Sequence, residues 1–408
     1  MNNLGYSYGE LITPTIAIFI FSVVVFFAVT KSVVGSFIAG AVKAGVFFFV
    51  FAYFFSGQVT GADDLYYLET AKKYAELDVK ASDMVFDRTK LMDVAESSHV
   101  LYPLFNYYSI RLFGEHYFAP VALNVMLATL VAVLGARLAA FEFRLTRTQK
   151  KMLFCLFFLH PEILGWSSVF NGKETVVLLC HILLLFGVSY ALRKRWLMAA
   201  WVTIPTAALL SGVRYYAPFL FAVAFLIYSL ANLKSRRGLL LLLAGVVAMA
   251  AMVMQLYGGF GYGLEFILST LSNPLFGVVH FLMTPRPFHL EPEYSFLLIP
   301  SIYHWCVFPF AVFGSWSVWK MRTPFSRFMI IYFLTFVAFY STFEGLQGAR
   351  HRLQLAFAFG IFEFFGIYNG LLAIRAFLRK ARRQALIRVA PSASQCAAGL
   401  KPGYTSEI

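Results

Sequence analysis

A chain of 408 residues that is 60% hydrophobic, 18% aromatic and only 13% charged, with a mean hydropathy of +0.71, lacks the polar material that a water-soluble surface requires. Its apolar residues come in blocks close to 20 long, the length that crosses about 30 Å of hydrocarbon, and this predicts an all-α, polytopic transmembrane helical bundle. The net charge of +14 is not a nucleic-acid signal, because the basic residues sit mainly in short gaps between apolar blocks, where membrane lipids and insertion topology account for them.

In chain order the blocks predict spans over 11–29, 36–55, 117–140, 151–168, 173–192, 196–212, 215–232, 238–256, 296–318, 328–344 and 353–376, about 11 in all. The first has no basic n-region and no small-residue cleavage site, and is read as a retained helix. Residues 56–116 form a large loop with two segments suited to a membrane interface: one runs from Asp63 to Ala81, the other from Leu101 to Phe113. Residues 257–295 form a second loop, Gly-rich at Gly258–Gly263 and punctuated by Pro285, Pro287 and Pro292, as expected of a mobile flap. Residues 1–378 thus read as a single transmembrane domain, and 379–408 as a basic, then disordered tail. Cys155, Cys180, Cys306 and Cys396 show no CxxC spacing, so neither a disulfide framework nor a thiolate zinc site is indicated.

Charge sets the orientation. The segments around Lys31, Arg144–Lys151, Arg193–Arg195, Lys234–Arg237, Lys320–Arg327 and everything from Arg375 onward hold 21 Lys and Arg against two acids, Glu142 and Glu407. The opposite side holds 11 against 17 acids. By the positive-inside rule the basic side is cytoplasmic, which puts the N-terminus outside and the C-terminus inside.

Ionisable residues then gather at the outer ends of several spans. Asp63 and Asp64 follow the second span, and Glu162 lies at the fourth. Asn171-Gly172-Lys173-Glu174 precede the fifth, and Arg214-Tyr215-Tyr216 the seventh. Arg286 is in the flap, and Gly348-Ala349-Arg350-His351-Arg352 precede the last. Convergent charge at one membrane face marks a functional site. Guanidinium forks match phosphate oxygens at two points, which suits Arg350, Arg352 and Arg214, with Lys173, to a departing phosphate. A carboxylate within hydrogen-bond reach can take an acceptor hydroxyl's proton; this is Asp63 or Asp64, only one of which acts directly because adjacent helical residues diverge. Asp63, Asp64 and Glu162 could instead share a divalent cation.

Each residue also has a plainer reading. Asp63 can cap a helix, Lys173 and Glu174 can be ordinary helix-start residues, and Arg214 can snorkel to headgroups. His160, His181, His280 and His304 show no ligand spacing and read as structural. Lys43 and Arg137 are placed to snorkel inward, whereas Glu363 is deep and must find a partner.

These motifs resemble the integral-membrane glycosyltransferases of the GT-C superfamily, which take sugars from polyprenyl-phosphate donors. The stretch from Gly61 to Tyr67 is similar to the acidic motif opening that family's first outer loop, and His99 through Gly114 to the stretch closing it. His160-Pro161-Glu162 with Asn171–Glu174, Gly212-Val213-Arg214-Tyr215, and Gly348–Arg352 are similar to its later outer-face motifs. The resemblance implies an Asp63 or Asp64 base, donor phosphate held by Arg350 and its neighbours, and inverting transfer to a lipid-linked or envelope glycan on the outer face. It covers about 55–370, and differs from the family in having two predicted spans, not one, before the acidic loop. Two other functions fit the same residues: a polysaccharide polymerase or ligase acting on polyprenyl-diphosphate-linked oligosaccharides, and a transporter or lipid flippase.

Overall fold

The structure is a computed structural model, and it describes residues 6–55, 62–80, 82–83, 87–96, 100–232, 271 and 273–389. Among these the chain is all-helical, with one isolated β-bridge between Leu271 and Phe343 and no strand. Eight helices among the described residues are long and apolar enough to cross a membrane. The span expected over 238–256, the glycines 258–263, Gly61, His99 and the tail beyond Val389 lie outside the described residues.

Local chemistry sets the helix ends. α1 (Tyr8–Thr30) begins where the Ser7 backbone N–H donates to Glu10 Oε2 at 2.6 Å and ends with Lys31 at φ 62°. α2 (Val33–Phe49), capped by the Ser32 hydroxyl, continues as a π turn over Val50–Phe54. In the loop that follows, α3 (Ala62–Glu76) stops before Ala81, the chain turning through Asp78 at φ 45°. An unforeseen short helix, α4 (Arg88–Ala95), precedes α5 (Leu101–Phe113), which packs against α3.

α6 (Phe118–Glu142) is the central helix, with 67% of its apolar window buried against 22% for peripheral α1. The fourth span is broken into α7 (Arg147–Phe158) and α8 (Pro161–Val169): Pro161 has no N–H to donate, and it forces His160 to φ −58°, ψ 119°. α9 (Glu174–Leu192) is a full span, whereas α10 (Trp196–Ser211) and α11 (Tyr216–Asn232) are apolar but have only 16 and 17 residues. At 1.5 Å per residue they reach roughly 25 Å, at the lower limit of a membrane span. α12 (Pro274–Met283), α13 (Leu298–Lys320), α14 (Pro324–Thr342) and α15 (Ala356–Val389) complete the described chain. A helical turn, Ala349–Arg352, leads into α15.

Two deep charges are resolved by packing. Glu363 Oε2 accepts from Tyr303 Oη at 3.0 Å and lies 3.1 Å from His160 Nε2 at the break in the fourth span. Lys43 does not snorkel: it is buried, donates to Thr129 Oγ1 at 3.0 Å and sits 4.4 Å from the Phe158 ring centroid. His181 and His304 are held by Tyr332 Oη and the Leu282 carbonyl.

The stretch after α12 is pinned where a mobile flap was expected. Arg352 Nη1 donates to the Leu282 and Thr284 carbonyls, and Trp305 Nε1 to those of Met283 and Pro285. Buried or half-buried donors on α13 and beside α15 thus satisfy carbonyls that the proline-rich turn leaves unpaired.

α13 and α15 cross with their backbones in contact, since a Cβ on Gly314 would overlap the Phe362 carbonyl and one on Gly366 the Phe310 carbonyl. Gly314→Ala is expected to cost about 1–3 kcal/mol through overpacking. Gly45→Ala, whose Cβ would meet nothing within 4 Å, is expected to be neutral or to gain up to about 1 kcal/mol. Thermal unfolding of both variants in one detergent checks the contrast.

Candidate functional site

Short polar side chains on α3, α5, α6 and the α8–α9 turn build the frame of the site. Asn171 sits at its centre. Its side-chain amide donates to the Asp64 carbonyl at 3.0 Å and to Asn106 Oδ1 at 2.8 Å, while its Oδ1 accepts from Tyr102 Oη at 2.9 Å. Asn124 donates to Tyr102 Oη and to the Gly172 carbonyl, and Asn106 to the Tyr102 carbonyl. Tyr117 Oη donates to Asp64 Oδ2 at 2.6 Å and accepts from the Asn171 backbone N–H. All six side chains are buried, and such a network is stable only when its members are partnered. It fixes the start of α3 against the start of α9.

This separates the two adjacent acids. Asp64 is fully buried and serves the frame. Asp63, one helical step away, has a side chain 49% exposed and receives Arg350 Nη2 at 3.0 Å. Arg350 Nε in turn donates to Glu174 Oε1, and the same oxygen accepts from Arg214 Nη2 at 3.0 Å. Asp63, Arg350, Glu174 and Arg214 therefore form one line of alternating charge across four segments. Glu174 is 1% exposed and is the first residue of α9, where the helix dipole favours an acid. Its Oε2 has no hydrogen-bond partner among the described residues, and neither has Arg214 Nε.

Lys173 stands beside this line, its Nζ 5.5 Å from the Tyr67 ring centroid. Burial, with the positive fields of Arg214 and Arg350, lowers its pKa to about 7. With Lys173 protonated, three cations face two carboxylates and one positive charge is left over. Below pH 7 the cluster is thus set to accept an anion. Gly172 permits the close approach: a Cβ there would overlap Glu174 Oε2 and the Phe170 ring, the ring over which the Arg350 guanidinium lies at 5.6 Å.

Of the remaining expected residues, His351 stays beside Arg214, Arg350 and Lys173, and the others fall elsewhere. Arg352 is 2% exposed, with Nε and Nη2 on Glu162 Oε1 at 3.1 and 3.0 Å and Nη1 on two carbonyls. It acts as a staple between α8, the post-α12 turn and α15, with its donors already engaged. His351 packs against Tyr340, 5.3 Å between ring centroids. Tyr215 stacks edge-on against Tyr216, which accepts from Arg214 Nη1 at 3.2 Å, and Arg286 is exposed beyond α12. The three acids considered for a divalent cation do not meet: Asp63 faces Arg350, Asp64 faces Tyr117, and Glu162 faces Arg352. Among the described residues no three His, Cys, Asp or Glu side chains converge for a metal.

Sequence reasoning overlooked the frame. Tyr102 and Asn106 at i, i+4 on one helix, and an Asn inside an apolar span at 124, were its available signals. No family model matches the chain, and neither a curated protein nor a solved structure is significantly similar to it.

Tyr117→Phe would take one donor from the buried Asp64 carboxylate, which still accepts from the Leu65 N–H at 3.0 Å, and is expected to cost about 1–3 kcal/mol. Asp63→Asn, at a half-exposed ion pair, is expected to cost less than about 1 kcal/mol. Equilibrium unfolding of the two variants by denaturant in micelles would register the difference.

Proposed function

We propose that the chain is a membrane glycosyltransferase that moves a sugar from a polyprenyl-phosphate donor to a lipid-linked or cell-envelope glycan. The observation that carries this reading is the meeting of Asp63, Lys173, Glu174, Arg214 and Arg350, from four segments up to 287 residues apart in sequence. The resemblance of the surrounding motifs to GT-C enzymes points the same way. In the topology that goes with it, the chain has about 11 spans, the cluster faces the extracytoplasmic side of a bacterial inner membrane, and the C-terminus is cytoplasmic.

The geometry suggests how the parts act. A donor phosphate entering the cluster competes with Asp63 for Arg350 Nη2, while Glu174 keeps its hold on Nε and so keeps the guanidinium aimed. Lys173 and Arg214 add positive charge where the leaving phosphate gathers negative charge. Asp63, released from the pair, accepts the proton of the acceptor hydroxyl as its oxygen bonds to the anomeric carbon. The bond from that carbon to the phosphate oxygen breaks, and polyprenyl phosphate departs with the electron pair. Asp64 and Arg352 hold the frame and touch no substrate in this scheme.

Asp63→Asn should lower transfer from a labelled polyprenyl-phosphate sugar by roughly 10²–10⁴-fold, the usual share of a general base, with membrane insertion unchanged. Full activity in that variant would remove the base and with it the proposed reaction. Supplying polyprenyl-diphosphate oligosaccharides in parallel separates this enzyme from a polymerase or ligase.

A second expectation concerns pH. A polyprenyl-phosphate sugar keeps one negative charge across neutral pH, so titration of the donor contributes nothing. Lys173 is charged below about pH 7 and loses its proton as pH rises through that value. Donor KM should therefore rise on going from pH 6 to pH 8.5, by about fivefold if Lys173 acts as a cation near the headgroup plane. Lys173→Arg, which keeps its charge throughout, should flatten that profile.

A further inference from the structure

On the opposite, basic end of the bundle a second constellation is built from different residues. The last turn of α1, the last third of α6 and the first turn of α7 enclose a cavity of about 150 Å³. Arg137, Arg147, Lys150 and Lys151 line it, over an apolar wall that includes Val29 and Val133. Lys151 Nζ is committed to the Thr30 carbonyl at 2.5 Å, which ties α7 to the end of α1. Among the described residues no carboxylate lies within ion-pair distance of any of the four cations. The nearest acid in sequence, Glu142, is engaged by Arg193 at 3.1 Å and by the Ser189 hydroxyl.

Four like charges around one cavity repel one another in proportion to how little water separates them. Among the described residues none supplies a counter-charge, which leaves the pocket suited to an external anion. The volume equals about five waters at roughly 30 Å³ each, enough for a phosphate group and too small for a sugar. Arg137 lies five residues before the end of α6, about 7 Å along its axis. The apolar wall at that depth suits the first methylenes of a fatty chain and would be wasted on a free ion in water.

We propose that this pocket is a binding site for one anionic glycerophospholipid, with its headgroup phosphate held by Arg137, Arg147 and Lys150 and its acyl chain laid along the wall at Val29 and Val133. The site is independent of the glycosyltransferase reading, and its lipid is a structural ligand, not a substrate.

The test is native mass spectrometry of the full-length protein released from detergent after addition of phosphatidylglycerol, phosphatidylcholine or inorganic phosphate. The wild type should retain one phosphatidylglycerol in preference to phosphatidylcholine. Arg137→Gln/Arg147→Gln/Lys150→Gln should weaken that retention on the order of 100-fold, since each cation near an anionic headgroup contributes about fivefold. Two controls guard the reading: Lys320→Gln/Arg322→Gln/Arg375→Gln, with the same charge loss elsewhere on the basic end, and Arg137→Lys/Arg147→Lys/Lys150→Arg, with charge kept, should both retain the lipid. Unchanged retention in the triple Gln variant would overturn the proposal, as would loss in the charge-keeping variant with an unaltered unfolding midpoint. Displacement of phosphatidylglycerol by millimolar inorganic phosphate would assign the pocket to a soluble anion and overturn the lipid assignment.

Discussion

The structure depends on how a carboxylate survives inside a medium that will not solvate it. Glu174, 1% exposed at the start of a full membrane span, is tolerable only because Arg350 and Arg214 both donate to it. The same requirement recurs at Glu162 with Arg352, and at Glu363 with His160 and Tyr303. Each of these pairings joins helices far apart in the chain, so charge neutralisation sets which spans are neighbours. In a bilayer, where apolar packing alone does not distinguish one helix face from another, such pairs carry much of the specificity of assembly.

These pairings also grade the polar interior by role. The layer of Asn106, Asn124, Asn171, Tyr102 and Tyr117 is knitted together by hydrogen bonds, with Asn124 Oδ1 its one acceptor lacking a partner among the described residues. Arg352 is likewise consumed, by one carboxylate and two carbonyls. The line from Asp63 to Arg214 is different. Its outer end is half exposed, its ion pair at Asp63 is the weakest held, and Glu174 Oε2 and Arg214 Nε are buried without partners among the described residues. A rigid frame and an exchangeable edge thus adjoin in the sequence, at Asp64 and Asp63.

Much of this was legible before any coordinates. Composition and block length established the helical membrane class, and the span ends they define put Asp63, Lys173, Glu174, Arg214 and Arg350 into one candidate group. Their direct contact did not, because nothing in a one-dimensional pattern states that residues 63 and 350 share a salt bridge. Glu174 was a secondary candidate because a helix-start acid is commonplace; its centrality comes from receiving two arginines. The expectation that Arg352 would act with Arg350 failed to allow for a helical turn that points them toward different helices. The flap over 257–295 was read from its prolines, yet Thr284 and Pro285 are tied down by side chains that no local rule would supply. The broken fourth span was signalled by Pro161; its purpose, bringing His160 to Glu363, required the fold.

Lys43 adds a constraint on biogenesis. It lies near the middle of the second span, and when the first hairpin leaves the translocon neither Thr129 nor Phe158 has yet been synthesised. A lysine at that depth costs about 2.5–3.5 kcal/mol on insertion scales, so α1 and α2 enter the bilayer carrying an unrelieved debt. That debt is relieved only when α6 and α7 arrive and supply the hydroxyl at 3.0 Å and the aromatic face at 4.4 Å. The two N-terminal helices are thereby given a reason to wait in the lipid for the later ones and to dock in a single rotational setting.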